Sequence, residues 1–433
     1  MNQCRVAKTA GFAEDFPGNA GTGSGRTMSV LSGLRVIESS AFVAVPSAGM
    51  TLAQLGADVI RIDMPRGGMD AARWPVTVDG RSLFWAGMNK GKRSVAIDVA
   101  TPRGRELAAA LICAPGDGGG CFLTNLPARG EIAYAALRAR RADVIMVSLK
   151  GTRDGGPAVD YSVNPALGFP MATGPEGSED PVAHVLPAWD LIAGQSVALA
   201  LLAAERERGR SGRGSLVELA LKDVAAAVLG HCGIIGEVVV NGVDRPKYGN
   251  ALYGGYGQDF HCADGRRVMV IGLTDRQWKA ILKVTGTAVP MAALGSRLGL
   301  DLDQEGARFR GRHEITALLR PWFAARAVAE FAAAFDAAGV TWSVFRSFGE
   351  AVREDPDLST ENPLFHLVDQ PGIGRFPVPA SPISFDGRAP EPPRPAPGLG
   401  AHTEEVLADV LGLGSGQIGA LMDAGVVAGP VPA

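Results

Sequence analysis

Between residues 34 and 149 short runs rich in Val, Ile and Leu alternate with helical runs, and this alternation constrains the fold more than any other feature of the chain. The runs over 34–38, 58–63, 94–98, 121–126 and 143–149 read as strands, and those over 46–55, 102–113 and 131–140 as helices. Gly56 closes the first helix, and Pro102 after Thr101 suits the first turn of the second. Strands joined through helices by short connections run parallel with right-handed crossovers. The expected fold class is therefore α/β, with a Rossmann-like, doubly wound large domain. The dinucleotide fingerprint GxGxxG follows none of these strands, which argues against a dehydrogenase. The run Gly21, Thr22, Gly23, Ser24, Gly25 has no strand before it and is not a phosphate loop.

The remainder of the chain divides by texture. Residues 1–27 are Gly/Ser/Ala-rich and aperiodic, as in a disordered extension or a stretch upstream of a functional start at Met28. They contain no continuous apolar core of a secretory signal. Residues 150–190 are Gly/Pro-rich with little periodicity, a pattern common in functional loops. A helix follows Asp190, then a strand over 215–221 and a helix over 222–235. From about 245 a smaller α+β domain is expected. It has a strand over 267–271, a helix capped by Thr274 with Trp278 and Ile281 inward, helices over 313–324 and 327–338, and a strand over 341–345. Residues 365–400 are Pro-rich and extended, and an amphipathic pair over 402–411 and 415–424 ends the chain.

With 433 residues, 46% hydrophobic, the chain is long enough for two or three domains or one large core with an insertion. Its net charge of -3 lacks the basic footprint of a nucleic-acid binder or a polybasic membrane surface. No apolar run is expected to reach the roughly 18–20 residues that span a bilayer. The strongest, 196–204, ends in Glu205, Arg206, Glu207 and Arg208. Five cysteines without a CxxC pair, and six scattered histidines, read as a reduced, cytoplasmic protein without a metal site.

Asp190 follows Trp189 at the mouth of the long apolar helix. It fits a helix N-cap, accepting backbone N–H bonds at the positive end of the dipole. It equally fits a catalytic carboxylate held anionic by the same donors. The local sequence leaves both open.

Several stretches bear on that choice: 33–38, 55–63, 89–98, Thr124, Asn125 and Leu126, the segment around Asp160, Trp189 and Asp190 with Gly194, the run Gly254, Gly255, Tyr256, Gly257, Gln258, and 399–407. In this order they resemble the class III CoA-transferase family. The resemblance implies a nucleophilic aspartate at Asp190, which attacks a thioester to give an acyl anhydride and then an aspartyl-CoA thioester. It implies a glycine loop, Gly254, Gly255, Tyr256, Gly257 and Gln258, closing over the intermediate. CoA contacts fall on Phe42, Val43, Ala44, Ile97, Asn125, Leu126, Arg129 and Asp160, with Lys92 and Arg129 as candidates for the phosphates. His184 is a candidate for the substrate's second carboxylate. The racemase branch places a histidine base before the acid at Asp160; here that position is Val159, which ranks racemisation below transfer.

The tracts 155–165 and 184–190 resemble a branch of the family that moves CoA between the two carboxyls of one C5 unsaturated dicarboxylate. Intermolecular transfer from a dicarboxylyl-CoA to a free acid is the alternative. CoA enters as part of a small-molecule thioester substrate, with no tightly bound cofactor and no metal. The resemblance also implies a ring-like protomer that interlocks as a homodimer. Its large domain would comprise 28–244 and a return segment, 351–433, with the small domain over 245–350. No nucleic acid or membrane partner is implied.

Overall fold

A computed structural model describes residues 29–430 of the chain. The extension expected over 1–27 lies outside the described residues. Strands β1 (Arg35–Ser39), β2 (Asp58–Asp63), β3 (Arg93–Ile97), β4 (Cys121–Thr124), β5 (Ile145–Lys150) and β6 (Leu216–Ala220) form a parallel sheet in the order β3-β2-β1-β4-β5-β6. The direction of winding reverses between β1 and β4. Open α/β sheets bind ligands beyond the carboxyl ends of the strands at such a switch point. A separate antiparallel sheet holds β7 (Gly257–His261), β8 (Arg267–Ile271) and β9 (Thr341–Val344). The Pro-rich return contains a hairpin of β10 (Phe365–Gln370) and β11 (Gly374–Pro379). Last, β12 (Val427–Ala428) pairs antiparallel with β3 at the edge of the large sheet.

Helices α1 (Ala44–Gln54), α2 (Leu83–Met88), α3 (Pro102–Cys113), α4 (Tyr134–Arg140), α5 (Asp160–Ala166), α6 (Phe169–Ala172) and α7 (Ala188–Ser211) cover the large sheet or carry the site. Thr101 Oγ1 accepts the Gly104 N–H at 3.0 Å, so the Thr-Pro start of α3 acts as a cap. On one face of the sheet Val36, Val59 and Leu123 pack with Leu52 of α1 and Val197 and Leu201 of α7. On the other, Ile60, Val95 and Ile112 pack with Val406, Leu407, Ile418 and Leu421 from the C-terminal helices Thr403–Leu411 and Ser415–Asp423. The small sheet has its own aromatic core of Tyr256, Phe260, Trp278, Phe323, Phe331 and Phe335.

Three expectations need correction. The expected helix over 131–140 is a 3-10 turn, Gly130–Ile132, then α4, because Ala133 between them is extended. The helix expected over 222–235 divides into α8 (Leu221–His231) and α9 (Ile234–Asn241) at Gly233, whose φ is +74°. Contrary to expectation, the 24-residue α7 is by length and composition long and apolar enough to cross a membrane. Its buried residues Ala193, Gly194, Val197 and Leu201 make it a core helix instead. The close crossing of α7 on α1 explains Gly194. A Cβ there would sit 2.1 Å from Ser47 Oγ and 2.6 Å from the Ala44 carbonyl oxygen.

Candidate active site

Asp190 lies in the first turn of α7, half-buried, and its carboxylate has no protein hydrogen bond or ion pair among the described residues. It is not the helix cap. That role belongs to Asp160, the first residue of α5, whose Oδ2 accepts the N–H groups of Trp189 at 2.7 Å and Asp190 at 3.3 Å. Asp160 is buried, and its Oδ1 has no protein partner. Burial, then the Asp160 charge, push the Asp190 carboxyl up to about 6, with Arg73 pulling the other way. The expectation of an ordinary aspartate held anionic by helix donors is corrected accordingly. Asp190 remains mostly ionised at pH 7, but as a more basic carboxylate than an ordinary aspartate.

Beside these carboxylates sits a second polar group. Trp189 Nε1–H donates to Asn164 Oδ1 at 3.1 Å, and the same oxygen is 3.0 Å from His184 Nε2. An indole N–H is only a donor, so it fixes the amide with its oxygen inward. His184 Nε2 must then carry a hydrogen, which leaves Nδ1 as a buried acceptor without a partner. In this tautomer His184 meets a carboxylate only after taking up a proton. Sequence reasoning missed Asn164, because a single Asn inside a segment without periodicity gives no signal.

The switch-point crevice brings together several expected CoA contacts. Asn125, just beyond β4, uses both ends of its amide on Ala41: Nδ2 donates to the carbonyl oxygen at 2.8 Å and Oδ1 accepts the N–H at 2.9 Å. It therefore shapes the loop after β1. Phe42 in that loop has φ +66°, rare for a residue with a side chain, and its N–H is held by both Asp70 oxygens at 2.9 and 3.0 Å. Val43 and Ala44 are buried beneath it. A cavity of about 190 Å³ at the carboxyl ends of β1 and β2 is lined by Ser40, Arg61, Met64, Asp70, Val99 and Leu126. A larger one, about 530 Å³, opens at the opposite ends of β2 and β3, around Asp58, Lys90 and Arg93.

Other expected contacts fall elsewhere. Lys92 does not reach for a phosphate. It is buried, with Nζ donating to Glu38 Oε1 at 2.9 Å, the Pro46 carbonyl oxygen at 2.8 Å and Asn89 Oδ1 at 3.0 Å. Arg61 joins the same network through Glu38, Asp63 and Asp70. Ile97, paired in β3 with Val427 of β12, is buried in the core cluster of the C-terminal helices, which excludes a side-chain contact from that position. Arg129 is exposed at the rim beyond β4.

The glycine run is only partly a loop. Tyr256 is fully buried, its hydroxyl 3.1 Å from Thr316 Oγ1, and Gly257 and Gln258 begin β7. The turn ahead of β7 is made by Gly254, with φ +80°, while Gly255 is already buried with its N–H on the Leu252 carbonyl oxygen. No hydrogen bond joins this run to Asp190 among the described residues. The small sheet's side instead meets the 170–182 segment through Arg312 and Glu176 at 2.8 Å and through Lys247 and the Asp180 carbonyl. Arg73, whose field reaches Asp190, was missed because it lies in a stretch with neither helical nor strand period.

Comparison with known proteins fits this arrangement. The model of CoA-transferase family III matches residues 31–403. A 2-methylfumaryl-CoA isomerase from Chloroflexus aurantiacus is 58% identical over 402 residues, covering 93% of this chain and 98% of that protein. A succinyl-CoA:glutarate CoA-transferase from Mus musculus is 26% identical over 418 residues, covering 93% and 91%. The crystal structure of a CaiB/BaiF family protein from Brucella suis superposes with a TM-score of 0.71 at 24% identity, over 89% of this chain and all 100% of that one, a likeness of fold. A family match that runs from β1 through Asp190 to the C-terminal helices means that the chain belongs to CoA-transferase family III.

Proposed function

We propose that the chain is a 2-methylfumaryl-CoA isomerase, moving CoA between the C1 and C4 carboxyls of one 2-methylfumaryl (mesaconyl) group. The observation that carries this is Asp190, a half-buried carboxylate without a protein partner on the helix that Asp160 caps. The 58% identity to a protein of that name supports the substrate.

The chemistry needs no external acid. An Asp190 oxygen attacks the C1 carbonyl, the C1–S bond breaks, and CoA thiolate leaves a mixed anhydride. The thiolate attacks the Asp190 carbonyl carbon, the anhydride C–O bond breaks, and the dicarboxylate dianion is freed beside an aspartyl-CoA thioester. The C4 carboxylate then attacks that thioester and the two steps run in reverse. Splitting one hard exchange into anhydride and thioester steps is covalent catalysis. The raised Asp190 carboxyl suits it as nucleophile, and its value of about 6 still lies well below that of a thiol, so it can leave when the thiolate attacks the substrate side of the anhydride. Asn125 and Asp70 hold the loop after β1 at the crevice where CoA would lie. The turn at Gly254, with its positive φ, would be the hinge of a loop that closes over the intermediate.

Free thiols at Cys113, Cys121, Cys232 and Cys262 support a reducing, cytoplasmic setting. The working unit in this proposal is a homodimer, which elution as a stable monomer in size-exclusion chromatography contradicts. The decisive experiment incubates the protein with mesaconyl-C1-CoA and labelled free mesaconate. Conversion to the C4 ester without label in the thioester pool is expected. Label in that pool overturns the intramolecular route in favour of transfer between separate acids, the kind of reaction named for the mouse relative.

A further inference from the structure

Arg73 lies between β2 and α2, with its guanidinium beside two aromatic rings. Its Cζ is 4.9 Å from the Phe42 ring centroid and 5.0 Å from that of Phe84. Both rings are anchored. The Asp70 carboxylate holds the Phe42 N–H, and Phe84 lies in α2, capped by Ser82. Ser82 Oγ also donates to the Arg73 carbonyl oxygen at 2.6 Å, fixing the backbone. Asp70 spends its charge on Arg61 and Phe42, so it does not neutralise Arg73. Among the described residues the Arg73 guanidinium has no ion pair and no hydrogen bond to protein.

Held beside these rings and without a protein acceptor, the guanidinium keeps its N–H edge available. That edge matches a carboxylate bidentately. A fixed, partly buried cation whose donors have no acceptor is prepared for an anion. Its contact with Phe42, in the loop after β1, puts Arg73 at the switch-point crevice, from which its charge acts on Asp190.

We propose that Arg73 holds the non-reacting carboxylate of the dicarboxylyl thioester, selecting dicarboxylates and retaining the freed diacid while CoA is on Asp190. This rests on the isomerase reading of the same site. When the anhydride C–O bond breaks, its electrons stay on the departing carboxylate and no proton moves. A dianion is left beside the charge of Asp160, and a nearby cation opposes its expulsion. The C1 ester places its C4 carboxylate on Arg73. After the diacid turns end for end, the C1 carboxylate takes the same place, so one arginine serves both esters.

The test compares mesaconyl-C1-CoA with 2-methylcrotonyl-CoA, which has a methyl group in place of the second carboxylate. Hydroxylamine trapping of the Asp190 thioester reports the first half-reaction with each, in the wild type, Arg73→Gln and Arg73→Lys. Loss of a charge-assisted pair predicts that the kcat/KM ratio, dicarboxylyl over monocarboxylyl, falls roughly ten- to a hundredfold in Arg73→Gln. Arg73→Lys recovers only part of it, since an ammonium has no planar fork. Label from free mesaconate is also expected to enter the thioester pool of Arg73→Lys, as retention weakens. Equal losses with both thioesters would place Arg73 at the reacting carbonyl or on CoA and overturn the proposal, as would an unchanged ratio. If Arg73→Gln does not fold, Arg73→Lys carries the same comparison. A wild type that traps both thioesters but does not isomerise mesaconyl-CoA refutes the isomerase reading, and the ratio still scores Arg73.

Discussion

Asp160 Oδ2 accepts the backbone N–H groups of Trp189 and Asp190 at 2.7 and 3.3 Å, so one carboxylate caps the helix from which the other projects. Capping, which the sequence offered to Asp190, belongs to Asp160, and Asp190 is left free for the nucleophilic role proposed for it. The cap is also a charge, and burial followed by that charge raises the Asp190 carboxyl.

Asp160→Asn keeps an oxygen acceptor for the helix and removes the charge. The Asp190 carboxyl is then expected to titrate lower, moving the acid limb of the kcat/KM–pH profile to lower pH. The stability cost is about 1 kcal/mol or less, as an Asn cap is nearly as good. An acid limb that stays in place would show that Asp160 does not act on Asp190 electrostatically.

Asp190→Asn should abolish thioester trapping yet stabilise the fold at neutral pH. The native carboxyl sits at about 6 against an ordinary 3.8, so the native state binds the proton more tightly than the unfolded chain. Stability of the wild type therefore falls as pH rises through that window, by up to roughly 3 kcal/mol once both states are ionised. Denaturant melts are expected to show the variant more stable at pH 7 and the gap closing toward pH 4. A gap independent of pH would contradict the raised carboxyl.

The parallel frame was legible because strands buried on both faces read as Val/Ile runs and the helices between them keep their period. Asp190 was legible as an acid at a helix start, and Asp160 only through the family resemblance. Their division of labour was not, since it depends on which N–H groups a helix start 30 residues away can reach. Lys92 was misread because an isolated lysine is normally solvated, and only the sheet's geometry puts Glu38 beneath it. Arg73 and Asn164 were missed for a related reason. Their roles come from tertiary partners, Phe42 and Phe84 for one, Trp189 and His184 for the other, which local spacing does not encode.

Gly194→Ala tests the coupling of the two helices that frame the site. The new Cβ would meet Ser47 Oγ and the Ala44 carbonyl, so α7 must move from α1, which carries the loop at Phe42. Exchange of a helical glycine for alanine ordinarily gains up to about 1 kcal/mol. Here a loss of roughly 1–3 kcal/mol is expected from overpacking, with a lower kcat as Asp190 shifts relative to the crevice. Thermal melts and steady-state kinetics check it together; a gain in stability with kcat unchanged would show that the crossing is loose.

Trp189→Phe removes the N–H that orients Asn164. The amide is then free to turn its NH₂ toward His184, which favours a bare Nε2 and a hydrogen on Nδ1. Long-range ¹H–¹⁵N spectra of the histidine rings are expected to show His184 as the Nε2–H tautomer in the wild type and a shift toward Nδ1–H in the variant. The buried indole's loss also costs roughly 1–3 kcal/mol. With Nδ1 no longer an open acceptor, KM for the thioester should change more than kcat if His184 meets the substrate as proposed, since it does not supply the nucleophile. A His184 spectrum identical in both proteins would mean that the indole does not set the tautomer.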